Sequence, residues 1–485
     1  MSEVLIASNL PVPPRNSQLI GIALGVCGAS LAVALAYEPL LIFAIVLAGS
    51  LVGTALKQPV ITLKLMLLYG GIPLELLGNN GDLATKPLFR DLGGTTVDGL
   101  VLVVMSFTLV VVLFNSRAFR IPKHLVPYAA LVIFAAFTLL YSIARLDGLR
   151  LVLKLAYPIF IFLLALRFLD TEAQVKSALR YWIAGGILAT IGGAAAFVVM
   201  GIQFFIYNGD IRYSSGLIYY NAFSIYMFTL FTLCYALWRN GRGRGYGALA
   251  LLFGLQGFAS ETRITWLALF VAVLLIEATQ KARQLKIMRI IGVACLLIAS
   301  ASYVVLQSRE LQIRIFRSEL DSHASATDTA GHLDLSSRGL VWALIFADYW
   351  THDLWIGQGA GSSLPVLREK FPPEVAAPHN EYLRMLHDAG MVGLLLFVAA
   401  LIALFLWVRK LLVDCKDHRQ RLFARIAMAL LTGYAIIAVT DNPFDYYLVF
   451  SQYVFFALAL AAGASRWKSY DLEGNAVGDN TLRFA

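Results

Sequence analysis

Long apolar runs separated by short polar gaps are the dominant pattern of this sequence. A membrane-spanning helix needs about 20 mostly apolar residues, and roughly 14 runs approach that length. Some are short or interrupted by glycine, so the pattern predicts an all-α polytopic membrane protein with about 12 to 14 transmembrane helices. The runs centre on residues 19–37, 39–56, 60–77, 97–114, 125–143, 151–168, 179–200, 217–237, 245–259, 264–278, 288–306, 391–408, 422–440 and 446–464.

One long polar segment interrupts the pattern, over residues 308–388. It predicts an amphipathic helix from near Ser336, a glycine-rich turn, a short helix ending at Lys370, and a last helix from near His379 that continues into the next span. The predicted organisation is an N-terminal bundle (1–307), this large helical loop (308–388), C-terminal spans (389–466) and a polar tail (467–485). Loops of this size usually carry function.

Composition strengthens the membrane assignment. Hydrophobic residues make up 59% of the chain and charged residues 14%, and the mean hydropathy is +0.73. A soluble domain typically has roughly 25% charged residues. A soluble enzyme, a disordered protein and a fibrous protein are therefore excluded.

The distribution of basic residues predicts the orientation. The net charge of +9 is scattered over short gaps, so it does not indicate nucleic-acid binding. Every second gap is rich in Lys and Arg, as the positive-inside rule requires if both termini are cytoplasmic. The long loop then lies on the opposite, non-cytoplasmic face. The basic gaps hold Arg117, Arg120 and Lys123; Arg239, Arg242 and Arg244; Lys281, Arg283, Lys286 and Arg289; and Arg409, Lys410, Lys416, Arg419 and Arg421.

The sequence also bears on whether the first apolar run is cleaved and on whether the chain binds a metal. The first apolar run is long for a signal peptide and follows Glu3 with only Arg15 as a basic residue, so we interpret it as a retained span. No pair of the four cysteines has zinc or disulfide spacing, and no metal site is predicted.

Four short motifs occur in a fixed order in the middle and second half of the chain. The most distinctive, residues 378–393, begins with a proline–histidine–asparagine sequence and ends in glycines at a membrane edge. The others lie at residues 212–222, 260–263 and 338–361. Together they resemble the O-antigen ligase and polysaccharide polymerase superfamily over about residues 200–395, although Thr262 stands where that family has a second serine.

The resemblance implies an inverting, metal-independent glycosyl transfer without a cofactor, on the periplasmic face of the bacterial inner membrane, by a fold like the C-type membrane glycosyltransferases. The implied donor is a glycan on undecaprenyl diphosphate. The acceptor is the lipid A core for a ligase, or the next lipid-linked repeat unit for a polymerase. The resemblance implies catalytic roles for His379, Arg338 and Arg263, and substrate binding by Arg212, Asn221, Asn380, Trp342 and Gly359.

The chemistry of these residue types agrees with that reaction. Arginine suits phosphate oxygens better than lysine does, and a diphosphate leaving group needs positive charge. Arg212, Arg263 and Arg338 all fall on the predicted outer side. A simpler interpretation stays open, in which Arg263 pairs with Glu261 or reaches the interface and Arg338 pairs locally. Arg314 and Arg317 are interpreted as a solvated helix face.

His379 is the candidate base, because an acceptor hydroxyl must lose its proton as it attacks the anomeric carbon. A histidine in the first turn of a helix is favoured in its neutral form. Asn380 is predicted to cap the helix or contact sugar, and Glu381 is interpreted as a favourable first-turn acid. The remaining histidines are interpreted as a neighbour (His387) or as surface residues (His323, His332 and His352).

Competing functions remain. The paired Asp441 and Asp445 flank Asn442–Pro443 and are interpreted as turn residues rather than as a metal-assisted acid site. A lipid-linked oligosaccharide flippase would also have many spans, but carriers place ionisable residues near the midplane, where this chain has few. A membrane scaffold and a ligase that acts on protein are further alternatives. Within the superfamily we slightly favour exopolysaccharide polymerisation, since nothing marks a lipid A core site.

Overall fold

A computed structural model describes residues 53, 57–71, 121–201, 206–207, 210–215, 218–279, 335–371 and 377–467. Four predicted spans (19–37, 39–56 apart from position 53, 97–114 and 288–306) lie outside these residues. Arg314, Arg317, His323, His332 and the tail from 468 onward also lie outside them.

Helices make up nearly all regular structure in the described residues. The first group is α1 (Pro59–Tyr69), α2 (Val126–Thr138), α3 (Arg145–Phe168), α4 (Glu172–Met200), α5 (Tyr220–Arg239), α6 (Arg244–Ala259) and α7 (Arg263–Ala278). The second is α8 (Leu335–Tyr349), α9 (Ser363–Lys370), α10 (Glu381–Asp414), α11 (His418–Ile437) and α12 (Gln452–Gly463), the last preceded by a π-helical turn (Tyr447–Ser451). Two short strands, β1 (Ile206–Tyr207) and β2 (Asp210–Ile211), pair antiparallel between α4 and α5.

The predicted fold class, an all-α polytopic membrane protein, is confirmed. Within the described part of the chain, six helices are long and apolar enough to cross a membrane, namely α3, α4, α5, α10, α11 and the segment containing α12. The shorter α1 and α2 are also apolar. The total of 12 to 14 spans stays a prediction, because four of the expected spans are outside the described residues.

Aromatic side chains fill the centre of the bundle, where α5, α11 and α12 pack together. Trp182 of α4 stacks on Tyr453 of α12 with ring centroids 4.6 Å apart. On the outside, Ile133 of α2 and Leu395 of α10 are largely exposed. Such exposed apolar side chains are typical of a surface that faces lipid.

A kink divides α10 into two parts. Gly390 has φ 65°, outside the helical range. The part after the kink is about 36 Å long at 1.5 Å per residue, enough to span a bilayer. The part before it, residues 381–389, belongs to the segment between the spans. The predicted continuation of the last loop helix into the next span is therefore confirmed.

Within the connecting segment (described residues 335–371 and 377–389), backbone hydrogen bonds hold the glycine-rich turn against the first part of α10. Gln358 N donates to His387 O (3.1 Å), and Gly359 N donates to Asp388 O (2.8 Å). At the other end of this short helical part, Glu381 N donates to Ala438 O (2.9 Å). The contact between Glu381 and Ala438 brings the loop that follows α11, residues 438–446, next to His379.

Candidate functional site

His379 lies at a strained junction just before α10. Its φ is 47°, a left-handed conformation that is uncommon outside glycine and is often found at functional sites. Its backbone N donates to Asn442 Oδ1 (2.8 Å). The residue precedes the helix cap Asn380, so it stands outside the first turn in which the sequence placed it.

The imidazole of His379 faces two side chains of the 438–446 loop. Nδ1 lies 3.2 Å from Asn442 Nδ2 and 3.7 Å from Asp441 Oδ1. The side chain is 20% exposed, whereas that of Asp441 is 1% exposed. One face of the histidine is therefore fixed by the protein while the ring stays accessible.

Helix α8 brings Arg338 and Trp342 to the same place. Trp342 Nε1 donates to Pro378 O (3.0 Å), directly before the histidine. Arg338 is one helical turn earlier, so it lies on the same face of α8, and its charge acts on Asp441. Helix α8 thus places a tryptophan next to the residue before His379, and an arginine whose charge acts on Asp441.

The surroundings of Asp441 favour its ionised form. Burial opposes its charge, but the nearby His379, the charge of Arg338 and the hydrogen bond from Asn442 N outweigh burial and hold the pKa of Asp441 below its usual value. Its Oδ1 also accepts from Asn442 N (2.9 Å) and Tyr446 Oη (3.0 Å). A buried carboxylate therefore lies directly beside the candidate base. The sequence had suggested only a turn residue.

Arg212 lies against an aromatic ring that begins α5. Its guanidinium lies 4.6 Å from the centroid of the Tyr220 ring, a cation–π contact. Burial and nearby groups that include Asp441 and Tyr220 raise the pKa of Tyr446 well above its usual value. Tyr446 donates through Oη to Asp441 Oδ1 (3.0 Å), and Tyr220 acts on Tyr446 electrostatically, so the predicted arginine is on the histidine side of the bundle.

Asn221 and Arg263 form a neighbouring pair of helix starts. Thr262 Oγ1 donates to Asn221 Oδ1 (3.2 Å), which ties the start of α5 to the residue before α7. Arg263 is the first residue of α7 and is half-buried. Glu261, two residues earlier, has φ 56°, the second left-handed non-glycine residue of the described chain. The family motif at 260–263 therefore coincides with a strained turn.

Asn380 and Gly359 have clear structural roles. Asn380 Oδ1 accepts from the backbone N atoms of Tyr382 and Leu383 (both 3.0 Å), so the predicted cap is confirmed. Gly359 has φ 97°, and a Cβ atom there would overlap Ser142. It lies near Asp388, about 12 Å along the helix from Asn380 by helical rise. The structure does not bring Gly359 together with His379, and substrate binding by Asn380 and Gly359 stays a prediction.

Arg384 was not singled out from the sequence, although it lies inside the most distinctive motif. It is 2% exposed and lies 3.1 Å from Asp445, 3.6 Å from Glu381 and 3.9 Å from Asp388. Lys154 of α3 reaches the same Asp445 at 2.9 Å. Burial opposes ionisation of Asp445, but Arg384 and Lys154 outweigh it and hold its pKa well below the usual range. This charge network fixes α10 against α3 and the 438–446 loop.

Glu381 also differs from its interpretation as an exposed first-turn acid. It is fully buried, and its Oε1 accepts from Phe444 N (3.1 Å). It therefore helps to fasten the 438–446 loop to the start of α10.

His387 belongs to a second polar cluster rather than to the His379 site. Its Nε2 lies 2.8 Å from Asp348 Oδ2, and its Nδ1 lies 3.1 Å from Asp388 Oδ1. Burial opposes ionisation of Asp348, but hydrogen bonds from His387 and Gln358 outweigh it and lower the pKa of Asp348. This cluster joins α8 to α10. His352 contacts its edge through Gln358 and is largely exposed, as predicted.

The geometry of possible metal ligands bears on the predicted lack of a metal. No group of three His, Cys, Asp or Glu side chains among the described residues is arranged to hold a metal ion. The metal independence of the reaction stays a prediction.

Comparison with known proteins agrees with the resemblance. Residues 248–398 match the family model described as O-antigen ligase, which supports the O-antigen ligase and polymerase superfamily. The matched region includes Arg263, Arg338 and His379, whereas Arg212 and the 438–446 loop lie outside it. No curated protein matches the chain.

Proposed function

We propose, from the O-antigen ligase match over residues 248–398, that this membrane protein transfers a glycan from undecaprenyl diphosphate to an acceptor hydroxyl, with inversion at the anomeric carbon. The match supports glycosyl transfer of the ligase or polymerase type in general. Donor, acceptor, stereochemistry and the periplasmic location of the site are parts of the proposal.

In this proposal His379 is the general base. The proposal requires the tautomer that carries its proton on Nδ1, directed to Asp441, which leaves Nε2 as the proton acceptor. Asn442 Nδ2, 3.2 Å from Nδ1, is itself a donor and has to turn away from the ring in that tautomer. Both contacts of the ring with described side chains, Asn442 and Asp441, are made through Nδ1. The Asp441 carboxylate then stabilises the imidazolium that forms, as the aspartate does in a serine protease triad.

The arginines act on the leaving group. As the glycosidic C–O bond to phosphate breaks, negative charge grows on the lipid diphosphate. The charge of Arg338 acts on Asp441, the carboxylate beside His379, and Arg212 lies over the ring of Tyr220. Arg263, at the start of α7, is the third candidate. Guanidinium groups bind phosphate oxygens in a bidentate geometry, which stabilises that charge.

The reaction balances without a further reactant. The acceptor oxygen forms a bond to the anomeric carbon from the face opposite the phosphate, and its proton passes to His379 Nε2. The lipid diphosphate leaves with the electron pair of the broken bond. The proton later returns to solvent or to the diphosphate.

One observation carries the proposal. Residues far apart in sequence, on α8, before α10 and after α11, meet at a single accessible histidine. The Trp342–Pro378 hydrogen bond (3.0 Å) and the His379–Asp441 contact (3.7 Å) define this meeting point. An arginine, a histidine base and a buried carboxylate are the groups that the proposed chemistry needs.

The test is His379→Ala in the native host, with His352→Ala as the matched control. His352 lies in the same segment, but its side chain is 47% exposed and contacts Thr351 and Gln358. Surface polysaccharide and lipid-linked glycans are extracted, and the protein is quantified by blot. We expect His379→Ala to abolish the finished glycan and His352→Ala to leave it near the wild-type level. Unchanged glycan pools in His379→Ala, with the protein present, would refute the role of His379.

The same experiment separates ligase from polymerase. Single repeat units that accumulate on the carrier indicate a polymerase, which we slightly favour. Long chains that accumulate on the carrier but never reach their acceptor indicate a ligase. A flippase is less well supported, because charged side chains of the described spans have ion-pair partners within the protein. Examples are Arg239 with Glu277 and Lys154 with Asp445.

A further inference from the structure

A basic cluster lies at the opposite end of the bundle from His379. Three residues of α11 share one face at spacings of three and four, namely His418, Arg421 and Arg425. This face meets the α5–α6 turn and the end of α7, because Arg425 donates to Asn240 Oδ1 (3.0 Å) and to Thr279 O (3.2 Å). The C-terminal end of α11 adjoins the His379 site, so the two sites are about 30 Å apart by helical rise.

Arg242, in the α5–α6 turn, completes the cluster. His418 interacts electrostatically with Arg242, Arg421 and Arg425, and the carboxylate that also acts on it is Asp417. Four basic side chains from two elements therefore lie close enough to act on one another electrostatically.

The carboxylates near this cluster are already shared with other cations. Asp417 caps α11 by accepting from Arg419 N (2.8 Å), and it lies 3.6 Å from Arg419 Nε. Glu172, which acts on Arg242, lies 3.3 Å from Lys176 and 3.9 Å from Arg419. Among the described residues, the local balance therefore stays strongly positive.

Two guanidinium groups of the cluster also have unused hydrogen-bonding capacity. The Nε atoms of Arg421 and Arg425 are buried from solvent and have no hydrogen-bond partner in the described part of the chain. Buried donors of this kind usually have a partner. An anion between α11 and the α5–α6 turn would accept these hydrogen bonds and offset the repulsion among the arginines.

We propose that the cluster of Arg242, His418, Arg421 and Arg425 is a binding site for a phosphate group. Arginine forks match phosphate oxygens, and basic pockets between helices on the cytoplasmic side of membrane proteins bind anionic lipid headgroups. The exposed Arg409 and Lys410 at the end of α10 belong to the basic gaps that predict the cytoplasmic face. The phosphate is that of an anionic phospholipid headgroup or of a soluble phosphate compound.

The experiment titrates the purified full-length chain in detergent with phosphatidylglycerol, and separately with inorganic phosphate. Binding is followed by native mass spectrometry and by the thermal midpoint. The test variant is Arg242→Gln/Arg421→Gln, which avoids Arg425 because that residue also joins three helices. The control, Arg409→Gln/Lys410→Gln, removes the same charge from exposed positions of α10. Phosphatidylcholine serves as the lipid without net charge.

We expect the affinity for the first bound phosphatidylglycerol to fall about tenfold or more in the test variant and to stay near wild type in the control. A thermal shift caused by inorganic phosphate alone, lost in the test variant, would also support the site but identify a soluble phosphate compound as its ligand. Arg242→Lys/Arg421→Lys should keep part of the affinity, which guards against a folding defect in the glutamine variant. Equal losses in test and control variants, or no preference of the wild type for either phosphate probe over phosphatidylcholine, would overturn the proposal.

Discussion

Replacing Asp441 by asparagine removes the negative charge beside His379 while it keeps the shape of the side chain. Asp441 Oδ1 accepts hydrogen bonds from Asn442 N (2.9 Å) and Tyr446 Oη (3.0 Å). An asparagine Oδ1 can accept both. The substitution therefore isolates the charge, and we expect the amount of folded protein to change little.

The size of the effect follows from the 3.7 Å distance between His379 Nδ1 and Asp441 Oδ1. Two unit charges about 4 Å apart interact by about 4 kcal/mol at the effective dielectric constant typical of a protein surface. Because each 1.4 kcal/mol or so is a tenfold change in rate, loss of this stabilisation of the imidazolium predicts a decrease of about 10²- to 10³-fold.

The assay is transfer of a radiolabelled glycan from its lipid diphosphate by protein reconstituted in proteoliposomes, under single-turnover conditions. The thermal midpoint of each preparation is measured alongside. A rate for Asp441→Asn within about threefold of wild type would show that the carboxylate does not support His379, since even the lower end of the range expected for general-base catalysis is about 10². A large fall in the thermal midpoint would instead show that Asp441 acts mainly on the fold.

Three further predictions use the same preparations. Arg338→Lys should lower transfer about tenfold or more although the charge is kept, because the guanidinium fork is lost. Its control is Arg368→Lys, at an exposed ion pair of α9, which should have little effect on transfer. Equal transfer rates in both variants would show that Arg338 does not bind the phosphate. Gly359→Ala should lower the thermal midpoint, because a Cβ there overlaps neighbouring backbone and φ is 97°. Gly339→Ala, in open space on α8, should raise the thermal midpoint slightly. A higher thermal midpoint for Gly359→Ala than for Gly339→Ala would contradict the packing. The free energy of unfolding should fall as the pH drops below about 4, which is the ordinary pKa of aspartate. The pKa of Asp445 is lower in the folded state, so the stabilisation that its charge gives the fold is lost as the carboxylate is protonated. Thermal midpoints between pH 7 and pH 3 should therefore decline less in Asp445→Asn, and an equal decline would remove Asp445 as a cause.

The spans and the local elements of the connecting segment could be predicted because their signals are local. An apolar run of the required length identifies α3 or α11, and three closely spaced glycines identify the turn at 357–361, where all three have positive φ. The cap at Asn380 followed from residue type before a helical pattern.

The partners of His379 could not be predicted, because Asp441 and His379 are far apart in sequence and only the packing of α10 on α11 joins them. Asp441 stands beside an asparagine–proline pair, and such a turn explains an aspartate without any contact. Arg384 did have a local signal. Glu381 and Asp388, three residues before it and four after it, share its helix face. Its burial and its third partner, Asp445, depend on tertiary structure.

The most direct test of the central claim is whether the purified protein makes a glycosidic bond at the expense of a lipid diphosphate, and whether His379 is needed. Wild type and His379→Ala are reconstituted with a lipid-diphosphate-linked glycan and an acceptor. The product and the released lipid diphosphate are then quantified, and the anomeric configuration is determined by NMR. We expect equal amounts of inverted product and lipid diphosphate from the wild type and neither from folded His379→Ala. Product with retained configuration, or transfer by His379→Ala at the wild-type rate, would contradict the central claim.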